Sequence, residues 1–178
     1  MKPLNWSILL LSIVLFLSGC GNESMKNQEM TKGKINKMQI EPLKGPISKQ
    51  DQDFIQAVLK SAASAEEMMG ELEAALQEME AHDEWHEASE MMEEAKKDIL
   101  FLWNKMHNEY QPDHPELMKL KEYYEGILLR YRQGMSLEME GMESGDTPKM
   151  KEGYETTGQA ITDLRELAEQ LAIVFQSR

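Results

Sequence analysis

One cysteine stands among 178 residues, so the chain has no intramolecular disulfide framework and no cysteine-rich zinc site. Positive charge is scarce: 19 Lys and Arg face 32 Asp and Glu, for a formal net charge of −13. That balance argues against nucleic acid as a partner, since binding it needs a basic surface. Six prolines and eleven glycines are too few for a low-complexity chain. No stretch of 51–178 alternates apolar and polar residues as a half-buried strand does. The chain also lacks a glycine-rich phosphate loop, a Walker-type lysine, an EF-hand loop and any motif that would place a Ser, His and Asp set. What is present is an apolar share of 41%, with fifteen methionines, which is enough for one compact domain.

The first twenty residues read as an address. Lys2 gives a short positive start, and Ile8 to Leu17 form an apolar run broken only by Ser12. The run is too short for a hydrocarbon core, which needs roughly 20 apolar residues, and it fits the apolar region of a secretory signal. It ends in Leu17-Ser18-Gly19-Cys20, which resembles the lipobox of bacterial lipoprotein signal peptides. The resemblance covers residues 1–20 and implies that the Cys20 thiol receives a diacylglycerol and that signal peptidase cuts between Gly19 and Cys20. It further implies a signal peptide over 1–19 and a mature chain held by its acyl chains on the outer face of the cell membrane. Each buried CH₂ of those chains would contribute about 0.8 kcal/mol. The string LSGCGN is similar to the starts of lipoproteins from low-GC Gram-positive bacteria.

Residues 20–47 read as a flexible tether. Gly33, Pro42, Gly45 and Pro46 interrupt any helix there. Residues 21–50 hold six Lys against three Glu, whereas 51–178 hold 12 basic against 29 acidic residues. Lysines beside a lipid anchor are attracted to anionic headgroups at about 1 kcal/mol each; alternatively they keep a linker soluble. A flexible linker of this length spans roughly 30 Å root-mean-square.

The folded domain is expected over 48–178. From Ser48, a plausible N-cap, apolar residues recur at alternating steps of three and four through Ile55, Val58, Ala62, Ala65, Met69, Leu72, Leu76 and Met79, a heptad seam. The phase slips at 82–84 and restarts through Trp85, Ala88, Met92, Ala95, Ile99, Leu102 and Met106. A turn there, with Asp83 capping the second helix, accounts for the slip. Asp113, Pro115 and Glu116 open a third segment with its seam through Leu117, Leu120, Tyr124, Leu128, Tyr131, Met135, Met139 and Met142. After Gly145-Asp146, Thr147 and Pro148 open a fourth, with its seam through Met150, Tyr154, Thr157, Ile161, Leu164, Ala168, Leu171 and Phe175. The expected fold is all-α: an antiparallel up-down four-helix bundle. The alternative is three helices with a long kinked first helix over 49–110, since no Pro or Gly marks the break.

Candidate chemistry is sparse. His82 and His86 are four apart, the spacing that brings two imidazoles together on one helix to chelate zinc or a similar metal; the string HDEWH is not the HExxH of zinc proteases, and a solvated junction is the plainer reading. None of the four histidines follows a Glu by three, which rejects a ferritin-like di-metal site. Twelve acidic residues between Glu66 and Glu94, with no basic residue from Lys60 to Lys96, read as a solvated face from which no catalytic carboxylate pair stands out. In an up-down bundle Met79, Met91, Met92, Met135, Met139, Met142 and Met150 fall near one end, with His82 and His86. Thioether and imidazole together suit copper, although methionine also fills irregular cores and adaptable binding surfaces.

These features lead us to expect a lipid-anchored, non-catalytic binding module of the cell envelope with a protein or envelope partner. The alternative is copper or zinc binding by His82, His86, Met135, Met139 and Met142; a wall or glycan hydrolase is a third possibility to which no residue can be assigned. A Cys20→Ala chain should take up no radiolabelled palmitate and should escape normal maturation. Retained label would sink the lipoprotein reading.

Overall fold

The structure, a computed structural model, describes residues 38–40, 43–82 and 85–176. The apolar run, Gly19, Cys20, Asp83 and the tether up to residue 37 lie outside the described residues. The chain divides into two units, Met1–Lys34 and Ile35–Arg178, and the described residues belong to the second.

Four helices make up that body: α1 (Lys49–Ala81), α2 (Trp85–Glu109), α3 (Pro115–Ser144) and α4 (Thr147–Gln176). They hold 87% of the described residues, among which there is no strand. Connections of a few residues force neighbours to run antiparallel. Each helix packs on the next and α4 returns to α1, with α3 and α4 sharing the largest interface. The result is an up-down four-helix bundle, in which α1 ends at Ala81 and a separate helix begins at Trp85. Among the described residues no helix is long and apolar enough to cross a membrane.

The seams of α1, α2 and α3 face the core as their spacing predicts. Val58, Ala62, Ala65 and Met69 are fully buried, as are Tyr124, Leu128 and Met135. The buried stripe is wider than a heptad seam, because Phe54 and Ile127 are also fully buried, as suits a globular bundle. The fourth seam differs from expectation. Tyr154 is exposed, and Ile161 and Ala168 are only half-buried, while Gly153, Ala160 and Leu167 join Thr157, Leu164 and Leu171 on the inner face. The face of α4 toward α3 is built from small residues, which an apolar pattern does not weigh.

Those small residues set the helix spacing. A Cβ built on Gly153 would lie 2.5 Å from the Glu138 backbone nitrogen and 2.7 Å from the Gly134 carbonyl oxygen. One on Gly134 would lie 2.8 Å from the Thr157 nitrogen, and one on Gly141 would lie 2.5 Å from the Met150 nitrogen. Steps of four and then three along α3 are thus matched by reverse steps along α4, one register held over two turns. Arg130, beyond this stretch, pairs with the buried Asp163 across the same interface.

The end of the bundle formed by the start of α1 and the α2–α3 connection is held by polar contacts. Ser48 and Asp51 cap α1 reciprocally: Asp51 N–H donates to Ser48 Oγ at 3.0 Å and Ser48 N–H to Asp51 Oδ2 at 3.2 Å. The buried Asp51 also accepts from the backbone N–H groups of Asp113 at 2.8 Å and His114 at 3.1 Å through Oδ1. Burial alone would raise its pKa, but these donors outweigh it and hold the carboxyl below its ordinary value. Lys121 donates to the carbonyls of His107 at 2.9 Å and Tyr110 at 2.7 Å, placing a buried positive charge at the C-terminal end of α2.

Two caps lie one residue from where the sequence put them. His114, not Asp113, caps α3, and its side chain accepts from Glu116 N–H. Asp146, not Thr147, receives Lys149 N–H at 3.1 Å at the start of α4. The packed body also begins before residue 48. Leu43 is buried in the core, Met38, Ile40 and Ile47 pack against it, and Ile40 N–H donates to Gln170 Oε1 at 3.1 Å. Apolar side chains spaced along this segment bind it to the bundle although it is not helical.

Gly158 contrasts with the interface glycines, since an added Cβ there would meet nothing within 4 Å. Gly153→Ala should therefore destabilise the fold by about 1–3 kcal/mol through overpacking, while Gly158→Ala should stabilise it by about 0.5–1 kcal/mol through helix propensity. Urea midpoints at unchanged slope check both signs.

Candidate functional site

The clamp between α3 and α4 leaves space elsewhere in the same half of the bundle. The space between the helices must be filled from α1, α2 and the flanks of the clamp. There α2 offers Ala88 and α4 offers Thr147 and Gly158, and a cavity of about 360 Å³ remains. All four helices line it: Leu72, Glu73 and Leu76 from α1, Ala88 and Met92 from α2, Tyr131, Met135, Glu138 and Met142 from α3, and Met150, Tyr154, Thr157 and Ile161 from α4. A volume of this size is at the lower end of small-molecule sites.

Two carboxylates interrupt the apolar wall. The Thr157 hydroxyl donates to Glu138 Oε1 at 2.8 Å, and the Tyr154 hydroxyl donates to Glu73 Oε1 at 3.4 Å. Thr157 and Tyr154 are three apart on α4, so one helix face supplies both hydroxyls. Burial pushes the Glu138 carboxyl above its ordinary range; the Thr157 hydroxyl offsets part of that and the negative charge of Glu73 adds to it. Burial, reinforced by the same two carboxylates, also raises the pKa of Tyr131, which therefore stays a neutral phenol. Lys151 lies on the rim, where it pairs with Glu155 at 3.8 Å.

The residues expected at a metal site are not gathered here as a set. His82 follows α1, exposed, with its Nδ1 2.8 Å from the Glu78 carbonyl oxygen. His86 belongs to α2, exposed, 3.5 Å from Glu90. The two imidazoles thus sit on different elements, and neither lines the cavity. Met135 and Met142 line it together with Met92 and Met150, whereas Met139 is buried outside the lining. Among the described residues no three His, Cys, Asp or Glu side chains form a group that could hold a metal ion. Most described members of the acidic run are exposed; the two that are half-buried are Glu66, which pairs with Arg165 at 2.8 Å, and Glu73, which enters the cavity wall.

Glu73 and Glu138 were not singled out by sequence, and Tyr131 and Thr157 were read there as core positions alone. The available signal was weak: Gly134 and Gly141, seven apart, bracket Glu138 on one face of α3, and that spacing marks a close helix contact. No protein-family model, no curated protein and no solved structure matches this chain.

A carboxyl whose pKa is raised in the folded state favours folding when protonated and opposes it when ionised. Its unfavourable contribution is absent below the unfolded value and sets in as pH rises through the folded one. The groups around Glu138 are Glu73, Tyr131, Tyr154, Thr157 and, at the rim, Lys151. Glu138→Gln should therefore raise the melting temperature at pH 7 and leave it nearly unchanged at pH 4. An equal change at both pH values would contradict the buried-carboxylate account.

Proposed function

We propose that this chain is a lipid-anchored, extracytoplasmic protein of the cell envelope that binds a ligand without transforming it, and that the bundle cavity is its binding site. The observation that carries the site is the cavity itself: about 360 Å³ lined by all four helices. The address rests on the lipobox-like residues ending at Cys20. Four methionines give the cavity a deformable wall, which suits binding and positions no nucleophile. A soft-metal reading keeps the thioethers of Met92, Met135, Met142 and Met150 and no imidazole.

The test uses the full chain in lipid nanodiscs, labelled with methyl-¹³C methionine and titrated with the neutral probe 4-phenyl-1-butanol. The methyl signals of Met92, Met135, Met142 and Met150 should move, that of the exposed Met118 should not, and Gly158→Leu should suppress the movement. Unmoved cavity methyls at saturating probe would remove the site. Tight copper(I) binding that is lost on joint replacement of Met135, Met139 and Met142 by Leu would put the metal reading first.

A further inference from the structure

We propose that the ligand of this cavity is a small organic cation, an amine or ammonium group carried on an apolar body; this rests on the cavity being a binding site. The wall is apolar except for a few groups, and those are unbalanced in charge. Glu73 enters from α1 and Glu138 from α3, both tied to α4 by hydroxyls. The one cationic side chain in the lining is Lys151, which stands at the rim and pairs with Glu155.

The hydroxyls fix the carboxylates without neutralising them. Each donates one hydrogen bond, and an ionised carboxylate has about four acceptor positions. The two carboxylates face one lining, and the negative charge of Glu73 adds to the burial that raises the Glu138 pKa. A cation placed between them offsets that repulsion and is not desolvated without a partner. Tyr131 and Tyr154 add aromatic rings in the same lining, and ring faces attract ammonium groups. The apolar body of the ligand would lie against Leu72, Leu76 and the methionines.

Competing ligand classes fit less well. An anion meets Glu73 and Glu138. A bare divalent cation favours a largely oxygen-lined, hydrated site, whereas this lining is mostly apolar. A cavity of about 360 Å³ is too small for a folded partner or a peptide helix.

Three probes with the same apolar body and different charge decide the matter: 4-phenylbutylamine, 4-phenyl-1-butanol and 4-phenylbutyrate, each titrated into the labelled full chain in nanodiscs. The amine should bind about tenfold more tightly than the alcohol or better, and the carboxylate more weakly than either. In Glu73→Gln/Glu138→Gln the amine should fall to the affinity of the alcohol. Binding of the alcohol and the helical content should be retained, which reports an intact cavity. Equal affinities for amine and alcohol in the unaltered chain, or an amine preference that survives the double substitution, would overturn the inference and leave the cavity reading standing. If none of the three probes moves the cavity methyls, the cavity reading fails and this inference fails with it.

Discussion

Gly134, Gly141 and Gly153 let α3 and α4 meet at backbone distance, and the rest of the bundle is arranged around that contact. Any side chain at these positions would collide with a backbone nitrogen or carbonyl of the opposite helix. Flexible side chains can move aside, but a helix backbone moves only as a rod. The contact therefore fixes both separation and register. From it follow the placement of Arg130 against Asp163, the position of Thr157 beside Glu138, and the inward turn of Leu164, Leu167 and Leu171. It also draws two helices together where four must enclose a volume, and the remaining space becomes the cavity.

The two ends of the bundle are stabilised by different physics. Around Asp51 the chain satisfies buried backbone donors with a charged acceptor, and around Lys121 it satisfies helix-end carbonyls with a charged donor. Hydrogen bonds to charged groups contribute roughly 1.5–3 kcal/mol each, and their directionality fixes geometry. Around Met92, Met135 and Met142 the contacts are thioether and alkyl, which are non-directional and tolerant of rearrangement. The cavity sits at the end whose packing can adjust, and the end that joins the preceding segment is polar and fixed.

Helix number, phase and most of the core could be read from sequence because large apolar residues recur at a helical period. The break between α1 and α2 was readable as a slip of that period. Three kinds of feature were not readable. The inner face of α4 includes Gly153 and Ala160, whose role is to be small, so a pattern of apolar residues, although it found Thr157, chose Tyr154 and Ile161 beside it. Glu73 is one carboxylate among twelve in its stretch, and only the close approach of α4 distinguishes it. His82 and His86 have a chelating spacing only if one helix runs through both, and the change of helix between them removes that condition. The caps of α3 and α4 each lie one residue from the position the sequence suggested, since adjacent polar side chains can serve the same turn.

The segment at 38–47 also defines where mechanical load enters. Ile40 bonds Gln170 on α4, Leu43 is in the core, and the Lys44 carbonyl oxygen lies 3.4 Å from His114 Nε2. Tension applied at residue 38 would meet these contacts first and the polar network of Asp51 next. The cavity lies in the opposite half of rods about 45 Å long, at a rise of 1.5 Å per residue. Pulling on the leading chain thus peels apolar contacts at one end of the molecule in sequence, while the chamber at the other end stays off the load path.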